Sequence, residues 1–322
     1  MSERKVDQLL SCIDKEKPLF IQTHNYPDHD AVACAFGLHR FLLHHNIQAT
    51  MCYVGEMQSA SLLAMIEKLE IFIVPASQAN ITEDSQIILV DGFIGNTNVE
   101  SLSATEIGVI DHHDPPQEPK VQFHDIRTEY GSCSSIIYEY YTAAGVEVPE
   151  NVATALLIGL MMDTDFMTRA VSIHDLNAFY HLFEVGDWVT GSYLLKNSLS
   201  KKDVPTFQDA LKACEYEGDT VFVFLPNDCS AELTGILADF FLRMREIHFV
   251  VLGVPGEKQY KISIRSEDPS RPASVVVRKA LQGIGFGGGH IHMGGGVIPY
   301  ERLPEFQKLK QSFLSSMKNK SY

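Results

Sequence analysis

Acidic and histidine side chains stand at a few points of the sequence, directly after apolar runs. The tripeptide Asp111-His112-His113 follows one such run, and Asp91 follows another. Imidazole and carboxylate together suit Mn²⁺, Fe²⁺, Co²⁺ or Zn²⁺. A tripeptide of this kind also occurs in ordinary surface loops, so the rest of the chain has to decide between a metal site and a loop.

A second group of the same residue types precedes the first long helix. His24, Asp28 and Asp30 lie between an apolar segment at 18–23, predicted as a strand, and a helix predicted over 31–45. Carboxylates two residues apart point in different directions and can serve two neighbouring metal ions. Helix capping is the alternative, because aspartate caps helices readily. Capping explains one aspartate but neither the histidine nor the second aspartate.

A further candidate ligand, Asp163, ends a strongly apolar helix predicted over 152–162. An acid at the end of a buried helix is costly unless it is paired or bound to a metal ion. The alternative is a plain loop acid after the helix, and the position alone does not separate the two.

Alternating strands and helices through the first 185 residues predict a doubly wound parallel sheet. Three strands end in acid or histidine there, and open α/β sheets bind ligands at the carboxyl ends of their strands. A polar, charged stretch follows, and then a second, smaller α/β unit. We therefore predict a domain at 1–189, a linker at 190–216 and a second domain at 217–322.

The second unit contains a glycine-rich loop at 285–296 that surrounds His290. Glycines let backbone N–H groups approach an anion closely, which favours an anion site over a flexible linker. In the strand predicted before it, Lys261, Ser263 and Arg265 share one face because side chains alternate along a strand.

Length and charge restrict the function. The 322 residues suffice for two domains, and 41 acidic against 26 basic residues give a formal charge of -15. This balance argues against long nucleic acids as partners and favours a small phosphorylated substrate. Six scattered cysteines indicate reduced thiols, and no apolar run reaches the length of a membrane span. We expect a cytoplasmic protein without a membrane partner.

The motifs, in this order, resemble those of the DHH/DHHA1 phosphoesterases, most closely the NrnA-like oligoribonucleases, or nanoRNases. The resemblance covers nearly the whole chain and departs from the family at Phe286, where a further glycine is frequent. The matching segments are His24–Ala31, Val90–Asp91, Asp111–His113, Gly159–Thr164, Ile264–Ser266 and Gly287–His290.

The resemblance implies a two-metal hydrolase with its active site in the cleft between a DHH and a DHHA1 domain. Two divalent ions, with Mn²⁺ favoured over Mg²⁺, would be held by two ligand sets that share Asp91. The implied sets are His24, Asp28 and Asp91 for one ion, and Asp30, Asp91, His112 and Asp163 for the other.

The remaining implied residues are catalytic or bind substrate. Asp111 would orient His112, and His113 would contact the scissile phosphate or the leaving oxygen. Arg265 and His290, beside Gly288 and Gly289, would bind a terminal phosphate.

The implied reaction is hydrolysis of dinucleotides such as pGpG, and of very short oligoribonucleotides, to nucleoside 5′-monophosphates. Adenosine 3′,5′-bisphosphate is a further candidate substrate. Two alternatives stay open, an inorganic pyrophosphatase or exopolyphosphatase of the same superfamily and a non-catalytic nucleotide sensor. A homodimer is also left open.

Overall fold

The computed structural model describes residues 2–57, 59–95, 99–115, 119–196, 199–289 and 291–318. The chain divides into two compact units, Met1–Ser198 and Leu199–Tyr322. The stretch predicted as a linker, 190–216, contains regular helices on both sides of this division. Its first part carries two buried leucines, Leu194 and Leu195, which pack within the first unit. No helix in the described part of the chain is long and apolar enough to cross a membrane.

A six-stranded sheet forms the centre of the first unit. Its order is β3-β2-β1-β4-β5-β6, and every neighbouring pair is parallel. The order reverses between β1 and β4, which is the switch point where open α/β sheets bind ligands. The predicted parallel sheet is confirmed. Its strands are β1 (Leu19–Gln22), β2 (Thr50–Tyr53), β3 (Val74–Pro75), β4 (Gln86–Val90), β5 (Thr105–Asp111) and β6 (Phe123–Ile126).

Helices of the first unit pack closely because small residues line their contacts. A Cβ atom added at Gly37 would lie 2.8 Å from the side chain of Ile137, so the helix that carries Gly37 needs glycine there. The helices are α1 (Ser2–Cys12), α2 (His29–His44), α3 (Ala60–Lys68), α4 (Cys133–Ala144), α5 (Glu150–Asp163), α6 (Ile173–Val185) and α7 (Trp188–Lys196), with a 3₁₀ turn at Ala76–Gln78.

The second unit is built on a mixed sheet of order β11-β12-β10-β9-β8-β7, in which only β8 and β9 run parallel among the described neighbours. Apolar clusters cover both of its faces. The strands are β7 (Cys214–Glu217), β8 (Thr220–Phe224), β9 (Phe249–Pro255), β10 (Gln259–Ser266), β11 (Phe286–Gly289) and β12 (Met293–Pro299). The helices are α8 (Val204–Ala213), α9 (Ala231–Leu242), α10 (Ala273–Ala280) and α11 (Phe306–Lys318), with 3₁₀ turns at Lys201–Asp203 and Tyr300–Arg302.

The glycine-rich stretch is largely a strand pair, and the expectation of a loop was wrong. Strands β11 and β12 pair antiparallel, with Gly288 opposite Gly295. The glycines allow α10 to lie directly on one face of this pair. A Cβ atom at Gly287 would come within 2.8 Å of the Val277 side chain, and one at Gly296 within 2.4 Å of the Leu281 side chain.

Candidate metal centre

The candidate residues of the first unit come together at the switch point of its sheet. Within each of three overlapping groups, one ligand atom from every member lies within 4.8 Å of those of the other members. The groups are His24, Asp28 and Asp91; Asp30, His112 and Asp163; and Asp91, Asp111, His112 and His113. The ends of β1, β4 and β5 and the end of α5 thus supply one cluster.

Asp91 lies at the centre of this cluster. Its two carboxylate oxygens face opposite partners, with Oδ2 3.7 Å from His24 Nε2 and Oδ1 3.5 Å from His112 Nε2. Its backbone has a φ of 57°, a left-handed conformation that few residues other than glycine adopt and that is common at functional sites. Gly92 follows, and a Cβ atom there would be 3.3 Å from the Cβ of His24.

Backbone carbonyls fix the rings of the two candidate histidine ligands. His24 Nδ1 lies 2.9 Å from the carbonyl oxygen of Asn25, and His112 Nδ1 lies 3.1 Å from that of Tyr130. Because a carbonyl can only accept, each Nδ1 carries the proton. Nε2 is then the nitrogen that faces the carboxylates, and in His112 it lies 3.0 Å from Asp163 Oδ2.

The two aspartates of the first motif have different surroundings. Asp28 caps α2, accepting from the backbone N–H groups of Asp30 and Ala31, so the capping alternative holds for this residue without removing it from the cluster. Asp30 is buried and accepts from the backbone N–H groups of Cys133 (2.7 Å) and Ser134 (3.0 Å) at the start of α4. The first turn of α4 therefore holds Asp30 in place.

We had expected Asp111 to orient the ring of His112, but Asp111 contacts the ring of His113 instead. Its Oδ1 accepts from the ring Nδ1 of His113 at 2.7 Å and from the backbone N–H groups of His112 and His113. The reason is local, since two consecutive N–H groups after a strand end converge on the preceding carboxylate. Asp111 is therefore the positioning residue of His113, and Tyr130 takes that part for His112.

Several buried atoms of the cluster have no hydrogen-bond partner among the described residues. They include Asp91 Oδ1 and His112 Nε2, which face each other without hydrogen-bond geometry. Buried polar atoms are normally satisfied, so unpaired ones need a further partner. A divalent cation fits, because a carboxylate oxygen and an imidazole lone pair are both metal ligands. The donor set is therefore suited to a divalent metal ion.

The pKa values of the side chains in the cluster also favour a cation site. Burial would lower the pKa of His24, but the neighbouring carboxylates of Asp28 and Asp91 raise it to about 10. The pKa of His112 is raised against the effect of burial by Asp163 and Asp91. Burial, with the charges of Asp91 and Asp163, raises the pKa of Asp30 well above its usual range. Protons on these side chains thus offset the negative charge of the clustered carboxylates, which a bound cation would otherwise offset.

The described candidate residues of the second unit lie on β10 and β11. Arg265 is mostly buried, and its Nε donates to Asp239 Oδ1 at 2.6 Å. Gly288 lies on the sheet face away from α10, and a Cβ atom built there meets nothing among the described residues within 4 Å. Gly289 ends β11 with a φ of 132°. His290 lies outside the described residues.

Sequence reasoning missed two contributors to the cluster. The carbonyl of Tyr130 and the N–H groups of α4 are backbone atoms, which residue types do not reveal. Gly159 was named only as the start of a matching segment, although a glycine inside an apolar helix is unusual. A Cβ atom there would lie 2.5 Å from Ser134 Oγ and 2.8 Å from Asp30 Oδ1.

Fold and cluster define a two-domain α/β protein with a candidate divalent-metal centre at a sheet switch point. Residues 18–160 match the model of the DHH family, N-terminal domain, and residues 218–316 match that of the DHHA1 domain. The chain therefore carries a DHH N-terminal domain followed by a DHHA1 domain, which confirms the predicted domain order. Members of the family are phosphoesterase hydrolases.

Known proteins similar to the chain differ in how much of it they cover. An uncharacterized protein of Methanocaldococcus jannaschii is 26% identical over 89% of this chain, which spans 59% of that protein's length. A "probable manganese-dependent inorganic pyrophosphatase" of Streptococcus pyogenes is 33% identical over 44% of this chain and 49% of its own length. The fold is shared with an exopolyphosphatase-related protein from Bacteroides fragilis, with a TM-score of 0.77 at 17% identity, covering 98% of this chain and 96% of that one.

Proposed function

We propose that this protein is a metal-dependent phosphodiesterase that hydrolyses dinucleotides such as pGpG, and very short oligoribonucleotides, to nucleoside 5′-monophosphates. The observation that carries the proposal is the pair of ligand groups that meet at Asp91. Its Oδ2 faces His24 and its Oδ1 faces His112, so one carboxylate has an oxygen for each of two neighbouring cations. Manganese dependence in the name of a relative supports Mn²⁺ as the ion.

The protein's own residues have distinct parts in this proposal. His24, Asp28 and Asp91 would hold one ion, and Asp30, His112 and Asp163, together with Asp91, would hold a second. Ions held there would supply activation of a water molecule and stabilisation of the charge on a phosphate. Burial lowers the pKa of His113, but the hydrogen bond that its Nδ1 donates to Asp111 and the charge of Asp91 raise that pKa above its ordinary value. A raised pKa suits His113 to donate a proton to the leaving oxygen.

The second unit supplies the argument for a nucleotide substrate. Phe286, Val297 and Lys261 lie side by side on three paired strands, and the next row on the same sheet face consists of Gly288, Gly295 and Ser263. The Phe286 side chain is 73% exposed on this face, away from α10. An exposed aromatic ring beside a glycine surface offers a stacking place for a base. Terminal phosphate binding by Arg265 and His290, with Gly288 and Gly289, belongs to the same proposal.

An inorganic pyrophosphatase is the second candidate, because the Streptococcus pyogenes relative carries that description. That likeness covers less than half of the chain. Pyrophosphate has no base, whereas the exposed ring of Phe286 offers a contact that only a nucleotide base can use. This ring favours the nucleotide.

A product assay with purified protein and Mn²⁺ tests the proposal. The substrates are pGpG, a 5′-phosphorylated pentanucleotide, pyrophosphate and adenosine 3′,5′-bisphosphate, and chromatography identifies the products. We expect pGpG to give guanosine 5′-monophosphate with the highest kcat/KM. Faster hydrolysis of pyrophosphate would instead establish the second candidate, and binding of pGpG without turnover would indicate a nucleotide sensor.

A further inference from the structure

The carbonyl group of Tyr130 is the partner that fixes the ring of His112. This carbonyl lies in the loop between β6 and α4 and accepts from His112 Nδ1 at 3.1 Å. The opposite ring nitrogen, Nε2, then faces Asp91 and Asp163, at 3.5 Å and 3.0 Å, where it can bind a cation that displaces its proton. Both the tautomer and the direction of the ring therefore depend on where the carbonyl of Tyr130 stands.

The side chain of Tyr130 is held on every side. Its hydroxyl group donates to Glu139 Oε1 at 2.7 Å and accepts from Arg127 Nη1 at 3.0 Å. Its ring stacks on that of His174, with centroids 4.5 Å apart and an interplanar angle of 17°. The guanidinium of Arg127 lies 5.1 Å from the ring centroid, within the range of a cation–π interaction.

Arg127 is the centre of the charged network around this tyrosine. It donates to Asp125 through Nε (3.0 Å) and Nη2 (2.8 Å), and to Glu139 Oε2 at 2.6 Å. Tyr140 also donates to Asp125, at 2.9 Å. The backbone of Arg127 accepts from the N–H group of Tyr130 at 3.1 Å. The network is largely buried, and a buried charged network that is fully paired holds one geometry rigidly.

We propose that Tyr130 is a positioning residue of the metal centre, whose hydroxyl group ties its carbonyl to the network of Arg127 and Glu139 and so presets His112 for a divalent cation. This inference rests on the metal part of the proposed function. If the network had only a structural role, loss of the hydroxyl would lower the stability of the protein without selectively weakening one of the two ligand sets.

The test compares Tyr130→Phe with Tyr138→Phe. Both tyrosines are buried, and both stack on a histidine, Tyr138 on His181 at 5.9 Å. The backbone carbonyl of Tyr138 accepts from Thr142 Oγ1 inside α4, whereas that of Tyr130 accepts from a candidate ligand, His112. Neither substitution removes a backbone carbonyl or a ring. The measurements are Mn²⁺ titration by calorimetry, the melting temperature of the metal-free protein, and kcat and KM on pGpG.

We expect Tyr130→Phe to weaken one of two Mn²⁺ binding events by about tenfold, the lower end of what loss of such supporting hydrogen bonds costs. The other event, which uses His24 and its own carbonyl partner at Asn25, should be unchanged. The rate should fall mainly in kcat. Tyr138→Phe should leave both events at their wild-type affinity. Glu139→Gln is a second variant in the same network and should reproduce the selective loss to a smaller degree.

Equal affinity of wild type and Tyr130→Phe for both ions, even with a lower melting temperature, would overturn the inference. Equal weakening of both events would do the same. Failure of the proposed function would give a different result, in which wild-type protein binds two Mn²⁺ ions but cleaves no nucleotide. The effect of Tyr130→Phe on Mn²⁺ affinity can still be measured in that case. Absence of any Mn²⁺ binding to the wild type would overturn both.

Discussion

The Asp and His cluster of the first unit and the glycine face of the second unit are built in opposite ways. In the cluster, several hydrogen bonds converge on single side chains, as on Asp30 at the start of α4 and on Asp111 after β5. On the glycine face, side chains are missing where Gly288 pairs with Gly295. Ligands for a small ion must be fixed in place, whereas a surface for a larger substrate must leave room.

The largest expected effect concerns the centre of the cluster. Asp91→Asn keeps the shape of the side chain but removes the negative charge, so kcat on pGpG should fall at least about a thousandfold, or about 4 kcal/mol. Asp84→Asn, an exposed position before the same strand β4, is the matched control and should retain activity. Circular dichroism checks the fold of both variants. A rate near that of the wild type in Asp91→Asn would remove this residue from the site.

Metal binding should depend on pH because the cluster holds protons that the cation must displace. The pKa of His24 is about 10, above its ordinary value of 6.5. Its stabilising contribution to the metal-free protein is complete below pH 6.5 and disappears as the pH rises through 10. The melting temperature of the metal-free protein should therefore fall over this range.

The affinity for Mn²⁺ should change in the opposite direction. Below a pH of about 10, binding at His24 displaces one proton, so the association constant should rise up to about tenfold per pH unit. Calorimetry in buffers of different ionisation enthalpy counts the released protons. An affinity that is constant over about two pH units would show that no proton is displaced.

The next effect tests how tightly the cluster is packed. Gly159→Ala places a Cβ atom against Asp30 and Ser134, so the protein should lose about 1–3 kcal/mol of unfolding free energy and should bind Mn²⁺ more weakly. Gly191→Ala is the control, since Gly191 is also helical but its Cβ atom would have ordinary contacts of 3.7 Å or more. Denaturant titration measures both. Equal stability of the two variants would mean that α5 can move away from Asp30 at no cost.

The sequence was informative where a buried strand ends in a charged residue. Asp91 and Asp111 each follow a run of apolar residues, so the parallel sheet and the meeting of their carboxylates could be predicted. Strand β6 was missed because Phe123–Ile126 alternates buried and half-buried residues over a short length. The glycine strands were taken for a loop, since glycine has low strand propensity and only pairing with β10 and β12 reveals them. Contacts made by backbone atoms, such as the carbonyl of Tyr130, cannot be predicted from residue types, because every residue carries the same carbonyl group.

The smallest expected effect tests the glycine face itself. If the ring of Phe286 stacks on a base, Phe286→Ala should raise KM for pGpG by about tenfold, within the range of 1–3 kcal/mol that base stacking contributes. Any turnover of pyrophosphate should be unchanged, because that substrate has no base. Phe72→Ala is the control, since Phe72 is similarly exposed (77% against 73%) but belongs to the first unit. A KM that stays at the wild-type value in Phe286→Ala, or that rises equally in Phe72→Ala, would mean that this face does not bind a base. The distinction between nucleotide and pyrophosphate would then have to come from the cluster alone.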